Sequence, residues 1–191
     1  MIKIKLFIGL GNPGEEYKNT RHSAGFIFVD ELAESLKSAP FTFDKKLNAE
    51  ISVAGKNLIL AKPQTFMNKS GLAAGAMAKY FKIKPENVLV AHDDIDIAWG
   101  DFKLSFGRSS AGHKGVESII KNLKTKDFWR LRIGIKPISA ASSKQKVVSK
   151  KQKTIKIKAE KIILKKFTPT ELKTLSATIK KAIPAVAGTA L

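Results

Sequence analysis

No cysteine occurs among the 191 residues. Its absence excludes disulfides, thiolate metal sites and a thiol nucleophile, and fits a reducing cytoplasm. Histidine is scarce, with three copies, so few groups are available as a neutral-pH base. Acidic residues number 16 against 35 lysines and arginines. No apolar run approaches the roughly 20 residues a membrane span requires, so no membrane partner is expected. The N-terminal residues Met1-Ile2-Lys3-Ile4-Lys5-Leu6 alternate like a strand rather than forming a signal peptide. No G-x-x-x-x-G-K-[ST] occurs, which excludes a P-loop, and no G-x-S-x-G, which argues against a nucleophile elbow.

What is present is positive charge. The formal net charge is +19 and the isoelectric point about 10.1. Such a chain attracts polyanions, nucleic acid foremost. A composition of 43% apolar and 27% charged residues is ordinary for a globular protein, and the length suits one domain with a real core.

Apolar runs alternate with helical periodicity. Lys3–Leu10 reads as a buried strand, and Phe26–Leu36 as a helix with Phe28, Leu32 and Leu36 on one face. Glu50–Ala54 and Leu58–Ala61 read as a hairpin turning at Gly55-Lys56-Asn57. Asn68 or Ser70 is expected to cap an alanine-rich helix that ends near Phe81. Asn87–Ala91 reads as a strand ending at His92-Asp93-Asp94, and Phe102–Phe106 and Leu131–Ile135 as further strands. Gly115–Leu123 has helical spacing. Thr168-Pro169-Thr170-Glu171 is a capping box that opens a last helix, expected to break at Pro184. The pattern predicts an α/β fold: a single-domain three-layer sandwich with a mixed, mostly parallel central sheet flanked by helices, spanning residues 1–191. The segment at about 139–160 reads as a lysine-rich insertion. From Lys144 to Lys166 the chain carries ten lysines and one acid, Glu160.

Several motifs carry candidate chemistry. Gly9-Leu10-Gly11-Asn12-Pro13-Gly14 matches the dinucleotide fingerprint literally, but Pro13 and a polar run follow where a helix should begin, so that reading is rejected. The same stretch continues to His22, and places a carboxamide and an imidazole near a strand exit, as water-activating hydrolysis requires. His92-Asp93-Asp94-Ile95-Asp96 raises the possibility of a metal site. The other two histidines have no acidic neighbour in sequence, so the preferred reading is a carboxylate that orients a histidine, with no metal. Asn68 follows a strand and is placed to bind a carbonyl or position water, while Phe66 and Met67 beside it offer an apolar wall or a stacking surface for a base. Gly107–Gly115 is a loop feeding a helix start, where backbone amides with Arg108 and Lys114 suit a phosphate.

Four blocks in order carry a resemblance. They are the Gly-Leu-Gly-Asn-Pro-Gly…Tyr…Thr-Arg-His-Ser-Ala-Gly run ending at Gly25, Phe66-Met67-Asn68-Lys69-Ser70-Gly71, Val90-Ala91-His92-Asp93-Asp94-Ile95-Asp96, and Gly112-His113-Lys114-Gly115 followed by Leu131-Arg132-Ile133-Gly134-Ile135. The chain resembles bacterial peptidyl-tRNA hydrolases from about Lys3 to Lys136, and again in the last helix.

The resemblance implies an esterase that frees tRNA from a peptide, acting as a cytoplasmic monomer without metal or organic cofactor. It implies His22 as general base, Asp93 as the group that holds its imidazole, Asn68 as positioner of water or of the oxyanion, and Asn12 as ligand of the peptide. Tyr17, Phe66, Met67, Asn68, His113 and Lys114 are the expected contacts to tRNA and substrate. Two departures stand out. Lys114 replaces the asparagine of the family's Gly-Gly-His-Asn-Gly loop, and the family has a shorter segment where the lysine-rich insertion lies. Both leave open an alternative, a hydrolase-like RNA-binding protein with weak or no turnover.

Overall fold

The computed structural model describes residues 3–136 and 162–187. The lysine-rich insertion at about 139–160 lies outside them. One sheet holds seven strands: β1 (Leu6–Gly9), β2 (Thr42–Asp44), β3 (Ala49–Ala54), β4 (Leu58–Pro63), β5 (Val88–Ala98), β6 (Phe102–Phe106) and β7 (Trp129–Lys136). Their order is β2-β3-β4-β1-β5-β7-β6. The central four, β4-β1-β5-β7, pair in parallel, and the outer strands β2, β3 and β6 add antiparallel edges.

Side-chain alternation divides the core into two. Phe7 of β1 joins Phe28 and Leu32 of α1 (Ala24–Ser35) and Leu175 and Ile179 of α4 (Pro169–Ala187) on one face. Leu6 and Ile8 join Met77 of α2 (Ser70–Tyr80) and Val116 and Ile119 of α3 (Lys114–Leu123) on the other. All four residues of β1 are buried, as expected of a parallel strand covered on both faces. The expected three-layer α/β sandwich is what forms.

Three local expectations fail. β5 does not end at Ala91. It runs on to Ala98, because β7 continues to pair with it through Asp94 and Gly134. Neither Asn68 nor Ser70 caps α2. A 3-10 turn over Met67–Lys69 enters the helix, Ser70 is its first residue, and the position before it makes no side-chain cap bond. The last helix continues past Pro184 to Ala187. Pro184 is exposed, so water can satisfy the carbonyl that loses its donor one turn earlier. The capping box forms as read: Glu171 N–H donates to Thr168 Oγ1 at 3.3 Å, and Thr168 N–H to Glu171 Oε2 at 2.8 Å.

Candidate active site

The parallel strands direct their carboxyl ends to one edge, where the chain leaves β1 toward one face and β4 toward the other. Such an edge is where α/β folds bind ligands. Gly9, the last residue of β1, is level with Ala91 of β5. Because β5 runs on, His92 and Asp93 stand above the end of β1, and both are buried.

His22 reaches Asp93 through a 3-10 turn, Arg21–Ser23, that opens α1. The approach depends on Gly25. A Cβ there would lie 2.2 Å from the carbonyl oxygen of Ala91 and 2.4 Å from the nitrogen of Leu10, so only glycine lets α1 start against the backbones of β1 and β5. Hydroxyls lock the turn: Thr20 and Ser23 both donate to the carbonyl of Tyr17, at 2.9 and 3.0 Å. His22 Nδ1 then lies 2.9 Å from Asp93 Oδ1. A carboxylate oxygen only accepts, so Nδ1 carries the hydrogen and Nε2 keeps its lone pair. Nε2 has no partner among the described residues, yet it is not among the buried unsatisfied atoms, so solvent reaches it.

A second histidine approaches the same oxygen. His113 precedes α3, and its Nε2 lies 3.1 Å from Asp93 Oδ1. Its Nδ1 accepts the N–H of Val116 at 3.4 Å, which caps α3 and fixes the hydrogen on Nε2. Burial alone would raise the Asp93 carboxyl; His113 and His22 overcome it and hold the group far below the usual carboxylate range. His92 is buried, and its Nδ1–H donates to the Asp93 carbonyl at 2.7 Å. Burial, reinforced by His113, holds it well below the ordinary histidine range, so it stays neutral. The ligand-type atoms of His22, Asp93 and His113 lie within 4.8 Å of one another, a spacing a metal ion could use. In the arrangement described, His22 Nδ1 and His113 Nε2 both direct their hydrogens at Asp93 Oδ1.

Asn12 follows β1 and is half-buried. Its Oδ1 accepts the N–H of Met67 at 2.8 Å, which fixes the carboxamide and turns its NH2 group outward. The bond also holds the turn carrying Asn68, whose exposed side chain has no partner among the described residues. Phe66 is 57% exposed and meets Tyr17 edge-on, with ring centroids 6.3 Å apart.

Two expected contacts are placed differently, and a third, Lys114, is exposed as a contact requires. Met67 is 5% exposed and packs in the core, and a Cβ on Gly115 would sit 2.4 Å from its sulfur; Phe66 alone supplies the exposed wall. His113 uses both ring nitrogens within the protein, so it joins the Asp93 cluster rather than a tRNA-facing surface. Lys114 points to solvent and pairs with Glu117 at 3.1 Å. The α3 N-terminus is correspondingly less open to phosphate than expected, since His113 takes the N–H of Val116.

Sequence reasoning missed two supports. Arg21, next to His22, donates its N–H to the Lys165 carbonyl at 3.0 Å, pairs with Glu171 and lies over the ring of Phe167. Arg130, fully buried in β7, donates to the Ser109 carbonyl at 2.8 Å. A polar residue between apolar neighbours in a strand reads as solvent-facing, so only the sheet register reveals it.

Comparisons with known proteins point to one family. The family model described as peptidyl-tRNA hydrolase matches residues 6–190. The protein named peptidyl-tRNA hydrolase of Aquifex aeolicus is 42% identical over 181 residues, covering 94% of this chain and 86% of that protein. Its namesake in Delftia acidovorans is 53% identical over 134 residues, 69% of this chain and 65% of that protein. The crystal structure of peptidyl-tRNA hydrolase from Acinetobacter baumannii superimposes with a TM-score of 0.84 at 30% identity, covering 100% of this chain and 90% of that one. The family model spans nearly the whole chain, and both fold and relatives agree with it: the chain belongs to the peptidyl-tRNA hydrolase family.

Proposed function

We propose that this chain hydrolyses the ester joining a peptide, or an N-blocked amino acid, to the 3′ end of tRNA, and so returns free tRNA to translation. The observation that carries this reading is the buried 2.9 Å bond from His22 to Asp93, which leaves the other ring nitrogen open to solvent at the carboxyl edge of the sheet.

His22 Nε2 takes a proton from water as the water oxygen attacks the ester carbonyl. Asp93 holds the imidazole in the required tautomer and stabilises the imidazolium that forms. His113 gives the same carboxylate oxygen a second hydrogen bond and fixes its orientation. The free Asn68 carboxamide donates to the developing oxyanion or holds the water. The proton on His22 then passes to the departing ribose oxygen, and the products are a peptide acid and tRNA. Asn12, with its oxygen committed to Met67, presents N–H donors to a peptide carbonyl, a contact that favours blocked over free aminoacyl groups. The exposed Phe66–Tyr17 edge offers a stacking surface for an unpaired terminal base, and Lys114 an exposed cation near the acceptor end. No metal or organic cofactor enters the reaction.

The reading includes action as a cytoplasmic monomer; among the described residues no helix is long and apolar enough to cross a membrane. Single-turnover hydrolysis of N-acetylaminoacyl-tRNA in H₂¹⁸O tests the chemistry. One ¹⁸O in the released acid is expected. An unlabelled acid would contradict attack by water, and tRNA binding without cleavage would favour the non-catalytic alternative.

A further inference from the structure

Arg130 is the largest fully buried side chain among the described residues, with 2% of its surface exposed. It pairs with Val90 across β5 and β7, and so points to the α2/α3 face of the sheet. No carboxylate binds it among the described residues. The nearby Asp94 is taken by Arg132 Nε at 2.7 Å. Among the described residues its Nε–H is buried without an acceptor, and the one hydrogen bond of its side chain runs from Nη1 to the Ser109 carbonyl. A buried guanidinium with so few partners is a poor source of stability, and an apolar side chain of similar volume would serve the sheet as well or better.

The carbonyl it holds begins a short path to Asp93. After Ser109 the chain makes a turn closed by the His113 N–H on the Ser110 carbonyl, at 3.0 Å. Ala111 and Gly112 take positive φ angles, 49° and 83°, to complete it. His113 leaves the turn with its Nε2–H on Asp93 Oδ1. The anchor is thus on the sheet, and the load is the second donor to the carboxylate that orients His22.

We propose that Arg130 is a positioning residue for the reaction: through the Ser109 carbonyl it fixes the turn that aims His113 at Asp93. The inference rests on the esterase reading above for its catalytic consequence, but not for its structural one.

The test is a cycle of Arg130→Met, His113→Ala and the double variant, with hydrolysis and ¹⁵N imidazole NMR as readouts. Arg130→Met is expected to stay folded and to lower kcat by about 10- to 100-fold with little change in KM, the size that misplacing a catalytic group produces. In the His113→Ala background the same change should have almost no further effect. By NMR, His113 of the parent protein is the Nε2–H tautomer, and Arg130→Met should convert it to a mixture. Arg130→Lys, which keeps a buried donor, should recover much of both signals and serves where Arg130→Met does not fold. Independent, multiplying losses of kcat would overturn the proposal, as would an unchanged His113 spectrum. If the parent protein cleaves nothing, the esterase reading fails, while the spectrum still decides whether Arg130 sets His113.

Discussion

The guanidinium of Arg21 and the carboxylate of Glu171 lie 2.5 Å apart, largely shielded from water, and join the residue before His22 to the first turn of α4. The C-terminal helix therefore braces the turn that presents His22, although the two are some 150 residues apart in sequence. Arg21→Ala removes this pair and the contact over Phe167. It should lower stability by about 1.5–3 kcal/mol, the range for hydrogen bonds to charged groups, and lower kcat more than it raises KM. Urea unfolding and steady-state kinetics on the variant check both. Unchanged kcat would show that the brace is irrelevant to His22.

Acid should weaken the fold in two stages. His92 has a folded pKa below its unfolded value. Its contribution is thus fully present above about pH 6.5 and is lost as the pH falls through that value, where the unfolded chain takes up a proton that the native state refuses. Asp93 is also depressed in the folded state, so its contribution is lost only below about pH 4, the ordinary carboxylate value. The slope of unfolding free energy between pH 7.5 and 5 should show a proton taken up by the unfolded chain. His92→Gln should remove that component. An identical slope in parent and variant would contradict the neutral, buried state of His92.

Much of this was legible in the sequence because burial writes itself as pattern. Phe7 and its neighbours Leu6 and Ile8 sit in a continuous apolar run, and a strand covered on both faces needs one. The spacing of Phe28 and Leu32 marks the buried face of α1. His22, Asp93, Asn12 and Asn68 stood out as candidates by their place after apolar strands. The resemblance pairs His22 with Asp93, but the contact itself is not legible in the residues, since it depends on β5 outrunning β1 and on Gly25 letting α1 close on both strands. His92-Asp93-Asp94 has the polar character of a strand end, yet pairing to β7 carries the strand through these residues. His113 is hidden in the sequence for the same reason: its glycine-flanked loop has the composition of a phosphate-binding one, yet the chain forms a turn that delivers the imidazole to Asp93.

The lysine-rich stretch gives a prediction from charge alone. Replacing Lys144, Lys146, Lys150, Lys151, Lys153, Lys156 and Lys158 with glutamine should weaken tRNA binding and flatten the dependence of log K on log salt concentration, because fewer counterions are released. Binding titrations at several salt concentrations measure the slope. An unchanged slope would show that these lysines do not touch the phosphates.

The most direct measurement of the central claim is hydrolysis of N-acetylaminoacyl-tRNA by the purified protein, beside its His22→Ala variant and an unblocked aminoacyl-tRNA. The account predicts cleavage of the blocked substrate, little cleavage of the unblocked one, and a loss of about 10²- to 10⁴-fold in the variant, the usual contribution of a general base. Equal rates for parent and His22→Ala would contradict it.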